Sequence, residues 1–216
     1  MEASFWHELW ENGQTGFHEG QINRMLTQYA EQLALPAGSR VLLPLCGKTQ
    51  DIQYFLARGI EVVGVELYEP AIRELFEILN VTPTISQAGA FTVYQAPKLT
   101  IYVGDFFAMD KSLLGPVDAI YDRAALVALP EPMRIEYSEH LMTISNLAKQ
   151  LLICFEYDQS KMSGPPFAVT AEMVEQYYGS KYRINHLDRE LVAGGLKGID
   201  DASESVWLLD LGISTD

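Results

Sequence analysis

Arg40-Val41-Leu42-Leu43-Pro44-Leu45-Cys46-Gly47-Lys48 and, thirteen positions further on, Glu61-Val62-Val63-Gly64-Val65-Glu66-Leu67 are the two stretches that decide the fold. Each is a short apolar run without polar alternation, the pattern of a strand covered on both faces. Between them Asp51 to Arg58 reads as a helix that Gly59 ends. A strand, a crossover helix and a second strand make a parallel pair.

The alternation continues outward. Pro70 opens a helix, a first-turn position where proline costs nothing. Val81 to Gln95 is polar and broken, a loop with a hairpin. Leu99 to Val103, Val117 to Tyr121 and Leu151 to Glu156 read as strands, with a helix from Pro132 to about Lys149. Thr170 caps a helix ending near Gly179, and Arg183 to Leu187 and Val206 to Leu211 are the last strands. Upstream, Ile22, Met25, Leu26, Tyr29 and Leu33 lie at helical spacing. The predicted fold class is α/β, a doubly wound and mainly parallel sheet, with an antiparallel edge made by the terminal strands. In such sheets the ligand lies beyond the carboxyl ends of the strands, at the switch point.

The 216 residues suit one α/β domain, and a 48% hydrophobic content supplies its core. A net charge of −14 repels phosphate backbones and anionic lipid, so nucleic acid and membrane are not expected partners. No apolar run is long enough to cross a bilayer. Cys46 and Cys154 make neither a disulfide framework nor a metal cluster, and the first residues carry no secretory pattern. A cytoplasmic location is expected.

Three strand-end loops carry the chemistry. In Leu45-Cys46-Gly47-Lys48-Thr49 the lone Gly47 permits close approach by a ligand but offers no phosphate cradle; otherwise it is simply the turn. Lys48 reads as a solvated residue at a helix start. Glu66, nineteen residues after Gly47, can accept hydrogen bonds from both hydroxyls of a ribose, or simply face water. In Gly104-Asp105-Phe106-Phe107 an acid followed by an aromatic suits an adenine ring, though the same residues also make a turn with core aromatics. Together these point to an adenosine-containing ligand.

Trp6-x-x-x-Trp10-x-x-Gly13-x-x-Gly16-Phe17-His18, then Pro44-Leu45-Cys46-Gly47-Lys48 and Val62-Val63-Gly64-Val65-Glu66, resemble signatures of the thiopurine S-methyltransferase family. So do Gly104-Asp105-Phe106-Phe107, Tyr121-Asp122-Arg123-Ala124-Ala125-Leu126, and Glu156-Tyr157-Asp158 with Gly164-Pro165-Pro166-Phe167. The match runs in order over nearly the whole chain. It implies a single methyltransferase domain over 1–216, a Rossmann-like class I sheet of seven strands with residues 1–35 as a helical cover. It implies S-adenosyl-L-methionine as cofactor, contacted or lined by Trp10, Leu45, Glu66 and Arg123, with Asp105 and Phe106 on the adenine side. Phe17 matches a residue between cofactor and acceptor. The acceptor is a small-molecule thiol or thiopurine, or a metalloid species of selenium or tellurium, and no metal ion is required. The expected working form is a monomer. The resemblance weakens at Tyr68, where small polar residues are common, and over Leu191 to Asp201, which is glycine-rich.

Methyl transfer from a sulfonium is an in-line displacement whose methyl is already activated. Alignment and desolvation are then the protein's tasks. Arg123 either orients an anionic acceptor and lowers its pKa, or pairs with Asp122, Asp105 or another acid and holds the loops. Trp10 is read as a lid with its ring near the sulfonium, Trp6 as a core anchor, and His18 as a structural hydrogen-bonder rather than a base. Cys46 is read as a small buried residue, and Glu156-Tyr157-Asp158 as a wall of the acceptor pocket or a rigid turn. Two other classes compete: an NAD-dependent oxidoreductase, against which the missing G-x-G-x-x-G counts, and a non-catalytic adenosine-binding protein.

Overall fold

The computed structural model describes residues 3–15 and 18–212. Phe17 lies outside them. In chain order the elements are α1 (Ala3–Glu11), α2 (Arg24–Tyr29), β1 (Arg40–Pro44), α3 (Asp51–Ala57), β2 (Glu61–Glu66) and α4 (Glu69–Ile78). There follow β3 (Thr84–Ala88), β4 (Phe91–Ala96), β5 (Leu99–Val103), α5 (Lys111–Leu114) and β6 (Ala119–Arg123). The chain closes with α6 (Glu131–Ser145), β7 (Lys149–Glu156), α7 (Ala171–Tyr178), β8 (Arg183–Leu191) and β9 (Ser203–Asp210).

Among the described residues nine strands form one sheet, in the order β3-β4-β5-β2-β1-β6-β7-β9-β8. The five from β5 to β7 are parallel; β9 runs antiparallel to both β7 and β8. These are the expected seven strands with their antiparallel edge. The β3–β4 hairpin, folded from the polar stretch after α4, adds two more at the opposite edge. Successive residues of β1 point to opposite faces: Val41 and Leu43 pack with Met25, Ile52 and Leu75, and Leu42 packs with Tyr137, Leu141 and Val174. Both faces are therefore dry, which is why β1 shows no polar alternation.

Several boundaries move for physical reasons. The predicted helix from Gln21 to Leu33 starts at Arg24, where Asn23 caps it by accepting the Leu26 N–H at 3.2 Å, and tightens into a 3-10 turn from Ala30. The helix opened by Pro132 stops at Ser145 because Asn146 and Leu147 turn left-handed, and the next strand starts at Lys149. The terminal strands are longer than expected. Ser203 and Ser205 are buried within β9 despite their polarity, and β8 is a half-exposed edge, so apolar runs mark neither.

A buried polar cluster fixes the end of β6. Asp122 accepts hydrogen bonds from Tyr137 Oη at 2.8 Å, Leu126 N at 3.1 Å and Gln150 Nε2 at 3.4 Å. Burial pushes its carboxyl up to about 6, against the hydrogen bonds from Tyr137 and the Leu126 and Ala125 amides. Because the fold raises this pKa above the unfolded value of about 4, the group favours the folded state most in acid. That contribution is lost as pH rises through about 6. Tyr137→Phe strips a bond from an ionised carboxylate at pH 7.5 and from a mostly protonated one at pH 5. We expect it to destabilise by about 1–3 kcal/mol at pH 7.5 and by distinctly less at pH 5. Urea unfolding at the two pH values checks this.

Candidate active site

β1 and β6 lie side by side, and the chain leaves them toward opposite edges of the sheet, so the switch point falls between their carboxyl ends. Both ends turn through left-handed backbone: Leu45 has φ +46°, Gly47 +51° and Ala124 +63°. For leucine and alanine this is a costly conformation, of the kind proteins keep at ligand-binding loops.

The turn after β1 brings the Gly47 amide to Glu66 at the end of β2. Gly47 N–H donates to Glu66 Oε2 at 2.7 Å, and Tyr68 N–H donates to Oε1 at 2.8 Å. Glu66 is 6% exposed. Burial pushes its carboxyl above the usual range; N–H donation from Tyr68, Gly47 and Leu67, then the nearby His7 charge, oppose the shift. Two carboxylate oxygens have about four acceptor positions, so part of that capacity remains to offer.

α1 covers this pair. Trp10 stacks on Tyr68, with centroids 5.6 Å apart and planes 11° from parallel. Its ring also closes on the loop after β1: a β-carbon at Gly47 would stand 3.2 Å from Trp10 Cζ2. A side chain at position 47 would thus push the cover outward. The cation over Trp10 in this structure is Lys48, 5.7 Å from the ring centroid and ion-paired with Glu74. Lys48 is therefore more enclosed than a solvated helix-start residue.

A second tie fastens the cover to β6. Arg123, with a buried side chain, forms an ion pair with Glu19, rather than with its chain neighbour Asp122, which is turned toward Tyr137. Glu19 also accepts from Asn23 Nδ2 at 3.2 Å. Asn23 N–H in turn donates to Asp51 Oδ1 at 2.7 Å, and Tyr121 Oη donates to Asp51 Oδ2 at 3.0 Å. One chain of bonds therefore links the cover, the start of α3 and the end of β6. His18 lies in the field of this group: burial first, then the Lys48 and Arg123 charges, hold its imidazole below the ordinary range. It is thus neutral at pH 7. Glu204 on β9 is pushed up by burial, with Arg123 opposing.

The remaining predicted residues divide. Leu45 sits at the first left-handed turn, partly buried against the α6 face. Asp105 is exposed, and its side chain accepts the Phe107 N–H at 3.0 Å. Phe106 points away from solvent, 2% exposed, and packs against Tyr137 and His140 at 5.1 and 5.3 Å. Its ring belongs to the core. Cys46 is a buried thiol pushed up by burial and by Glu66. Tyr157 Oη donates to the Pro166 carbonyl at 2.6 Å, beside a cavity of about 450 Å³ that Tyr157 lines with Arg134 and Phe167. Glu19, Asn23, Asp51, His7 and Tyr68 join the site without having been singled out from the sequence for it. Only Asn23, a capping residue before an apolar stripe, carried a local signal.

Fold and strand-end geometry together define a class I S-adenosylmethionine-dependent methyltransferase. Among solved structures, the chain is similar to 1,6-didemethyltoxoflavin-N1-methyltransferase of Burkholderia thailandensis, which holds S-adenosylhomocysteine; the TM-score is 0.62 at 16% identity, covering 96% of this chain and 85% of that one. A TehB-like S-adenosylmethionine-dependent methyltransferase of Corynebacterium glutamicum superposes with a TM-score of 0.56 at 13% identity, over 95% and 96% of the two chains. The sequence model of the thiopurine S-methyltransferase family matches residues 1–210. Thiopurine S-methyltransferase of Teredinibacter turnerae is 49% identical over 215 residues, covering both chains in full. That of Xanthobacter autotrophicus is 48% identical over 211 residues, covering 97% of this chain and 99% of its own. The chain belongs to the thiopurine S-methyltransferase family.

The residues present fit the family's cofactor. Glu66 offers unused acceptor sites to a ribose diol, and the lack of a β-carbon at Gly47 lets Trp10 close over the turn beside it. His7 Nε2 on α1 is a buried polar atom without a hydrogen-bond partner among the described residues. The anionic form of Glu66 is the better acceptor. Cofactor affinity of the wild type should therefore fall on acidification at a pH above that at which an ordinary glutamate takes up its proton. Glu66→Gln should bind weaker at neutral pH, by about 1–3 kcal/mol, and lose that acid dependence. Calorimetry with S-adenosylhomocysteine across pH checks both outcomes.

Proposed function

We infer that this chain transfers the methyl group of S-adenosyl-L-methionine to the sulfur of a small thiol or thiopurine by in-line displacement. The observation that carries the reading is the enclosed Glu66 carboxylate, braced by two backbone amides at the end of β2 and covered by Trp10. When bound, the cofactor supplies an electrophilic methyl on a sulfonium. Glu66 accepts the ribose hydroxyls, and the turn at Leu45 and Gly47 brings backbone close to the cofactor. Asp105 meets the adenine edge. Trp10 and the rest of α1 exclude water from the reacting centre, which strengthens every charge interaction inside it. To Phe17 the family resemblance gives the part of an apolar wall between cofactor and acceptor.

Arg123 holds the acceptor end. A fixed guanidinium favours an anionic thiolate over the thiol, and Glu19 keeps it aimed while tying the cover to β6. A soft anion needs no strong base once it is ionised. Selenium and tellurium anions share this chemistry, and they extend the acceptor class. The whole of 1–216 works as one domain, with residues 1–35 as its cover, as a monomer in the cytoplasm. Two unpaired, buried cysteines and a net charge of −14 support that setting. A pyrophosphate-binding loop, which an NAD enzyme requires, is replaced here by a turn with one glycine.

Saturating S-adenosylhomocysteine should raise the stability of the wild type by about 2.7 kcal/mol at a hundredfold excess over Kd. An unmoved melting temperature contradicts the reading. Arg123→Ala should slow transfer most for acceptors still protonated at the assay pH, and should move the pH–rate profile upward. Arg123→Lys should recover part of the rate, because a point charge does not reproduce the planar fork. Equal loss on every acceptor at every pH, together with weakened cofactor binding, assigns Arg123 to the cofactor instead.

A further inference from the structure

Glu66 engages only part of its acceptor capacity, and the side chain best placed to share its ligand comes from the cover. His7 and Trp10 lie three residues apart on one face of α1, and both rest on Tyr68. The His7 ring is tilted against the Tyr68 ring with centroids 5.6 Å apart, beside the stacked Trp10. The backbone amide of that same Tyr68 braces Glu66. A positive charge on His7 would favour the ionised Glu66 carboxylate, so the two lie within electrostatic reach of each other. The imidazole therefore packs on the residue whose amide braces the carboxylate that the proposed function gives to the ribose.

His7 itself has no answering group. Its Nε2 is closed off from solvent and makes no hydrogen bond among the described residues. A buried nitrogen left unpaired costs about 1–3 kcal/mol, and a fold retains such an atom where another partner completes it. The missing partner has defined properties. It must reach a nitrogen that the cover now encloses, and must satisfy an imidazole nitrogen in either tautomer. It must also tolerate an adjacent carboxylate. A hydroxyl meets all three conditions, since it can donate and accept; a carboxylate or phosphate does not, because Glu66 repels it.

We propose that His7 is a cofactor-binding residue of this enzyme, whose Nε2 pairs with one hydroxyl of the cofactor ribose while Glu66 accepts from the diol. The ribose is then gripped from two sides, by β2 beneath and by α1 above. Closing the cover over the cofactor becomes one event with completing the bonds of His7. This rests on the methyltransferase reading, and its test separates the two.

The test is calorimetry of S-adenosylhomocysteine and of its 2′-deoxy and 3′-deoxy forms with wild type, His7→Phe and His7→Gln. His7→Phe should bind S-adenosylhomocysteine roughly tenfold more weakly. In that variant the penalty for removing one of the two hydroxyls should shrink by a similar factor, and the other penalty should stay as in wild type. His7→Gln, which restores a polar group, should recover part of both effects, and it decides the matter if His7→Phe does not fold. Two results overturn the proposal: unchanged affinity in both variants, or weaker binding with both deoxy penalties intact, which makes His7 a support of α1 only. If S-adenosylhomocysteine does not bind the wild type, the methyltransferase reading fails, and His7 falls with it.

Discussion

The structure turns on a carboxylate kept almost dry. Glu66 ends β2 inside the fold, where burial pushes its carboxyl above the usual range and the Gly47 and Tyr68 amides, aimed at its two oxygens, oppose that shift. A buried carboxylate without such donors would take up a proton instead. The turn after β1, with Leu45 and Gly47 left-handed, aims one of those amides. The entry to α4 aims the other, and the strand pairing of Pro44 with Val65 sets the distance between them. Backbone strain at the strand end and the register of two parallel strands thus act on one acid.

Among the described residues, the N-terminal cover meets the ends of β2 and β6 through dissimilar contacts. Over β2 it is aromatic: Trp10 and His7 lie on Tyr68, with Lys48 on the Trp10 face. Over β6 it is ionic, through Glu19 and Arg123, and continues by hydrogen bonds through Asn23 and Asp51 to Tyr121. α1 is only nine residues long, too short to persist as a helix without its docking. The contacts that seat the cover are made on residues at the two strand ends where the ligand is proposed to lie. Positioning of the cover and shaping of the site are consequently the same event.

The parallel core, Gly47 with Glu66, and the cap at Thr170 were legible because each rests on a local rule: apolar runs, strand-end spacing, or a capping residue before a helix. Gly47 and Glu66 do meet, at hydrogen-bond distance. The pairing of Arg123 with Glu19 was not legible, since the two are 104 positions apart and nothing near Glu19 marks it. Phe106 shows the limit of reading an aromatic after an acid: the pattern was right for a strand-end turn, but the ring fills the core under Tyr137. Tyr68 looked like a departure from the family, and its purpose became visible only when α1 was seen lying on it.

Amide resonances of Gly47 and Tyr68, followed by heteronuclear NMR while S-adenosylhomocysteine is added at neutral pH, address the central claim most directly. If the Glu66 carboxylate is the seat of the cofactor ribose, both amides shift as the ligand saturates, and in Glu66→Ala they no longer respond together. Saturable binding that leaves Gly47 and Tyr68 unmoved in the wild type would place the cofactor elsewhere and contradict the account.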